Sequence, residues 1–207
     1  MLAVFIFISL VTAVLAVNYL YFHEHKRWKW SIDFSKRALL IMVGYLALGI
    51  GFGLGHQLHH VSFLVTIQNI LFFNLLYLIA LIDWEEQIIP NQLILIMFVT
   101  RLFFIIAEPG HALPSLIGLF IGGGMIVILM IISKNSIGAG DAKMFAMIGF
   151  FIGSQHILSV FFYTFLLSAV IGVVLIMMRQ IKWRDAIALA PFAFLGTLFD
   201  YVVRQIF

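Results

Sequence analysis

Residues 61–82 read VSFLVTIQNILFFNLLYLIALI, and residues 83–92 continue as DWEEQIIPNQ. The first stretch is long and apolar enough to cross a bilayer as one helix, which takes roughly 20 such residues. It carries no charge until Asp83. An ionisable side chain at the rim of a membrane span is costly to hold there, so by default it marks a functional site. The pattern recurs at Asp141, inside NSIGAGDAKMF at 135–145, again between apolar stretches.

Outward from these two points the chain is apolar throughout. It has 207 residues, 64% hydrophobic and 10% charged, whereas about a quarter of a soluble domain is charged. The composition predicts an all-α polytopic membrane bundle of about eight transmembrane helices, in one domain over 1–207. The spans are placed at 1–22, 37–55, 61–82, 92–107, 114–133, 143–154, 156–178 and 186–206, with only a weak break near Gly153-Ser154. The chain has no cysteine, which excludes disulfides, thiolate zinc sites and a cysteine nucleophile. The net charge of +3 is no sign of nucleic-acid binding, because the basic residues sit in short loops and orient the protein.

That orientation is consistent. Lys26, Arg27, Lys29, Lys36 and Arg37 fall in the first loop, Lys134 and Lys143 after span five, and Arg179, Lys182 and Arg184 after span seven. The positive-inside rule makes that side cytoplasmic and puts both termini outside. The first span has no cationic n-region and no small-residue cleavage site, so it reads as an uncleaved anchor. The loop at 23–36, with Trp28 and Trp30 among cations, reads as a topology anchor at the membrane interface. Localisation follows as multi-pass in the inner (plasma) membrane, with the lipid bilayer as a standing partner.

Asp83 follows span three and Asp141 precedes span six, so both are expected on the cytoplasmic side. Two carboxylates brought together share a proton and their pKa values split. The ionised one activates a water; the protonated one polarises a peptide carbonyl and later serves the leaving amine. The coupled titration leaves open which aspartate has which role. Read singly, each also fits a solvated helix cap or a loop position. Glu85 and Glu86 compete with Asp83 but lie farther along a polar stretch. Gly138 and Gly140 flank the second aspartate and let backbone bend or approach closely. Pro90 marks a turn or the start of the next helix. Lys143 either pairs with Asp141 or anchors the inner face.

At this level IDWEEQIIPN, followed by GAGDAKMFAMIGFFIG, resembles the type IV prepilin peptidases, the bacterial and archaeal branch of the GxGD membrane aspartyl proteases. The resemblance rests on an Asp ending an apolar helix with Pro seven positions on, a later GxGD with Lys two positions on, and Ala190-Pro191-Phe192 in the last apolar segment. It implies a membrane aspartyl endopeptidase that removes the leader of prepilin-like or pseudopilin-like precursors at the cytoplasmic face, in type IV pilus assembly or protein secretion. Asp83 and Asp141 map to the catalytic pair, Gly138 and Gly140 to the motif glycines, with Lys143 and Pro90 beside them. No cofactor is implied. Many members carry a cysteine-rich, zinc-binding region after the first span and methylate the new N-terminus. The corresponding loop here is short and without cysteine, so methyltransferase activity is not expected.

Two other functions also fit parts of the sequence. One is a presenilin-like or signal-peptide-peptidase-like protease cutting within spans; Ile82 stands where that branch has Tyr, and Ala190-Pro191-Phe192 replaces its PAL. The other is a small proton- or cation-coupled transporter, for which inverted repeats are missing. Other features are read as structural. His56, His59 and His60 are polar loop residues rather than a metal site. Gly49, Gly51, Gly53 and Gly55, and Gly118 with Gly122, suit close helix packing. Asn18, Asn69 and Asn74 are candidates for interhelical hydrogen bonds. Arg101 either snorkels outward or pairs with Glu108.

Overall fold

The computed structural model describes residues 2–25, 36–59, 61–133, 138–180 and 187–206. Among these there are no strands, and the expected all-α membrane architecture is what is found. The helices are α1 (Leu2–His25), α2 (Lys36–His59), α3 (Phe63–Glu86), α4 (Asn91–Ala107), α5 (Ala112–Ile132), α6 (Ala139–Ile152), α7 (Ile157–Met177) and α8 (Ala190–Ile206). A 3-10 turn at Pro109–His111 leads into α5. Five of the helices are long and apolar enough to cross a membrane, and α4 is a shorter apolar helix. Most of the interfacial loop expected at 23–36 lies outside the described residues, as do His60, Lys134, Lys182 and Arg184.

The chain divides into two compact units, Met1–Leu78 and Ile79–Phe207. In the first, α1 packs on α2. Gly49 and Gly53, one turn apart on α2, face α1: a Cβ on Gly49 would lie 2.6 Å from the Ser9 hydroxyl, and one on Gly53 would meet Leu2 and Phe5. Gly51 and Gly55, on the opposite face, meet nothing. Asn74 of α3 donates to the Thr12 hydroxyl of α1 at 2.7 Å, and the buried Tyr45 hydroxyl donates to the Asn74 carbonyl at 2.9 Å. Asn18 does not bridge helices; its amide bonds to the Val14 carbonyl of its own helix at 2.8 Å.

In the second unit α6 is the central helix. It has only 14 residues, about 21 Å of helix at 1.5 Å per residue, which is short of a bilayer's hydrocarbon thickness. Such a short helix is tolerated because protein surrounds it: Met144, Phe145 and Met147 through Phe151 are all buried, among helices α4, α5, α7 and α8. The α5–α6 contact is the closest. A Cβ on Gly118 would fall on the Gly149 carbonyl oxygen, and one on Gly149 on the Gly118 oxygen. One turn on, Gly122 meets the Phe145 carbonyl in the same way. Without a hydrophobic driving force in lipid, close van der Waals packing between small residues is what joins membrane helices.

The weakly marked break between spans six and seven is a sharp one. Gly153 takes φ 80°, where a Cβ is disfavoured, and the Ser154 amide donates to the Pro114 carbonyl at 3.0 Å. Arg101 does not snorkel. It is 6% exposed; its Nε donates to the Phe150 carbonyl at 3.0 Å and its Nη2 to the Ser115 hydroxyl at 2.6 Å. Phe150 is in the last turn of α6, where carbonyls lack helical partners. The guanidinium therefore caps α6 and ties it to α4 and α5, and a cation is favoured at that end of a helix.

Candidate active site

Asp83 does not end its helix, as the apolar run suggested. It sits in the last turn of α3, which continues to Glu86 and closes when Gln87, at φ 54°, donates its amide to the Asp83 carbonyl at 2.9 Å. A short connection leads to Pro90, which occupies the N-cap of α4 with φ −67° and ψ 125°. Proline suits a helix start because its missing N–H would have no helical partner.

The Asp83 side chain is buried, with the residue 5% exposed. Its Oδ2 accepts a hydrogen bond of 2.9 Å from the backbone N–H of Ala190, the first residue of α8. The neighbouring Leu189 amide also faces this carboxylate. Asp83 thus supplies from across the fold the capping acceptor that the α8 N-terminus needs.

Asp141 is the third residue of α6, ahead of the apolar stretch that begins at Met144. Burial first, and then the negative charge of Asp83, push its carboxyl up to about 6, while the Gly138 amide works in the opposite direction. The two aspartates therefore lie within electrostatic reach of each other at one end of the second unit. Gly138 is the N-cap of α6 at an ordinary φ of −73°, so its lack of a side chain matters for space rather than for torsion. A Cβ there would sit 3.4 Å from Asp141 Oδ2, and a Cβ on Gly140 would sit 3.1 Å from Ile89. The GxGD turn is thereby held against the segment that precedes Pro90.

Lys143 makes its hydrogen bond to Asn91 Oδ1 at 2.9 Å rather than to Asp141, linking the first turns of α6 and α4. Glu85 and Glu86 are exposed. Another acid, Asp200, went unnoticed in the sequence; it is 4% exposed and pairs with Arg204 Nε at 2.9 Å. It is ten residues along α8 from Ala190, about 15 Å at 1.5 Å per residue, so it belongs to the opposite end. A cavity of about 240 Å³ lined by Arg101, His111, Ser115 and Gln155 also lies at that far end. No group of histidine, cysteine, aspartate or glutamate able to hold a metal occurs among the described residues.

Residues 70–175 match the model of the type IV leader peptidase family. The chain belongs to that family. The matched segment contains Asp83, Pro90, the GxGD turn and Lys143; Ala190 lies outside it. Among curated proteins, this type IV leader peptidase family member is similar to the prepilin leader peptidase/N-methyltransferase of Bacillus subtilis (strain 168). The two are 28% identical over 160 residues, which cover 76% of this chain and 61% of the relative. The chain thus spans less than two thirds of that relative's length. No solved structure matches. Family membership and the apolar helices together make this a membrane protein of a peptidase family.

Proposed function

We propose that the protein is an aspartic endopeptidase that removes the N-terminal leader of prepilin-like or pseudopilin-like precursors at the cytoplasmic face of the plasma membrane. The whole chain acts as one peptidase domain. The observation that supports this most is that Asp83 and Asp141, 58 positions apart in sequence, lie at the same end of one helical unit, near enough for the charge of one to bear on the other. Their residue types, the burial of Asp83 and half-burial of Asp141, and the motif around them match what the hydrolysis of a peptide requires: one carboxylate to take a proton from water and one carboxylic acid to polarise the carbonyl.

Gly138 and Gly140 keep the acid turn narrow, Pro90 fixes the chain after Asp83, and Lys143 with Asn91 braces the starts of α6 and α4. The substrate's own apolar helix would remain in the bilayer beside these helices, with its scissile bond at the rim. We further propose that methyl transfer is not part of the activity, because the loop at 23–36 is short and the chain contains no cysteine.

The test is direct. The purified full chain in liposomes is incubated with a synthetic precursor made of a basic leader, a cleavage site and an apolar segment, and the products are read by mass spectrometry. Cleavage immediately before the apolar segment supports the reading. Cleavage inside that segment would favour the intramembrane alternative, and an intact precursor would remove the proposal.

A further inference from the structure

Two carboxylates that share a proton are not equivalent if their surroundings differ, and here they do. Asp83 accepts a 2.9 Å hydrogen bond from the Ala190 N–H and faces the Leu189 amide as well. Both amides belong to the start of α8, whose 17 residues add the positive end of a helix dipole. Among the described residues, Asp141 has one facing amide, from Gly138 in its own turn. A carboxylate that accepts several backbone N–H bonds is held in its ionised form.

We infer that Asp83 is the ionised partner and Asp141 the protonated one, and that the backbone N–H of Ala190 is the positioning group that sets this division. The inference rests on the peptidase reading for its kinetic consequences but not for its geometry. Burial opposes ionisation of both carboxyls; at Asp83 the amides of Ala190 and Leu189 offset it, and at Asp141 the charge of Asp83 adds to it. Among the described residues, the other charged groups at this end are Lys143 on α6, bonded to Asn91 of α4, the exposed Glu85 and Glu86 on α3, and the exposed Arg179 just past the end of α7. The α8 helix and the described residues leading into it offer no ionisable side chain before Asp200.

The reaction then runs in one order. Asp83 takes a proton from water as the water oxygen bonds to the peptide carbonyl carbon, and Asp141 gives its proton to the carbonyl oxygen. The resulting gem-diol collapses: the C–N bond breaks, Asp83 passes its proton to the departing nitrogen, and a diol hydroxyl returns a proton to Asp141. Both groups end as they began. Ala190 takes no part in the proton transfers; it keeps Asp83 ready to receive.

The experiment removes that single N–H. Proline is tolerated at the first position of a helix, so A190P deletes the donor while A190G keeps it. Rates of cleavage of the synthetic precursor are measured against pH for wild type, A190G and A190P. The inference expects the lower limb of the A190P profile to move upward by about half to one pH unit, so that the rate on that limb falls roughly three- to tenfold relative to A190G. The upper limb stays in place. A lower limb that is identical in the two variants overturns it.

Infrared spectroscopy provides a second reading that needs neither turnover nor the proline variant. At pH 5 the protonated-carboxyl band of wild type should be lost in D141N and retained in D83N. Any other pattern overturns the assignment. Absent cleavage by the wild-type protein would instead defeat the peptidase reading and leave the infrared result to stand by itself.

Discussion

Gly118 of α5 and Gly149 of α6 touch backbone to backbone, so that a methyl group on either would fall on the other's carbonyl oxygen. A helix carbonyl cannot step aside as a flexible side chain can. G118A and G149A are therefore each expected to destabilise the protein by about 1–3 kcal/mol, the usual range for overpacking. G124A should be neutral, because a Cβ there meets nothing within 4 Å. Thermal unfolding of the three variants in detergent checks this; equal midpoints for G149A and G124A would contradict the contact.

Arg101 offers a second test of how α6 is held. Replacing it with Met removes the bonds to the Phe150 carbonyl and the Ser115 hydroxyl. Bonds to a charged donor contribute about 1.5–3 kcal/mol each, so R101M should lower the melting temperature markedly, with R101K in between. A snorkelling arginine would tolerate all three residues alike.

The pH dependence of stability follows from Asp141. Its carboxyl is raised from 3.8 to about 6 by burial and by Asp83, so the folded state holds this proton more tightly than the unfolded chain. Stability from this group is full below about pH 4 and declines as pH rises towards 6, because the unfolded state binds fewer protons across that window. D141N has no such loss. Its melting temperature relative to wild type should therefore be higher at pH 7.5 than at pH 4.5; a pH-independent difference would show that Asp141 titrates like an exposed acid.

Lys143 distinguishes a brace from a charge partner. Its bond runs to Asn91 on an exposed surface, where the net gain from such a bond is about 1 kcal/mol. K143M should reduce cleavage only a few fold and leave the pH limbs where they are. A shifted limb would mean that the ammonium acts on Asp141 after all.

Hydropathy made the helices legible, and the two aspartates stood out because a charge at the edge of an apolar run is conspicuous. The break between α6 and α7 was faint, since only Gly153 marks it and the bond that fixes it uses the backbone of Pro114. Arg101 resisted interpretation for the same reason: one of its partners is the carbonyl of Phe150. The amide of Ala190 has no letter of its own, so its bond to Asp83 was invisible. For Lys143 the sequence leaves open a pairing with Asp141 or a place as an inner-face anchor, and cannot show the bond to Asn91, which lies 52 positions away. The Asp200–Arg204 pair was within reach, because i and i+4 on a helix are neighbours.

The proposed chemistry needs two acids working as a pair at the membrane rim. The most direct measurement is leader removal from the synthetic precursor by purified D83N and D141N, each first shown to insert and to melt cooperatively. Both should bind precursor and cut at less than about a thousandth of the wild-type rate, on the scale expected when an acid–base group is lost. Sustained cleavage by either variant would contradict the pairing.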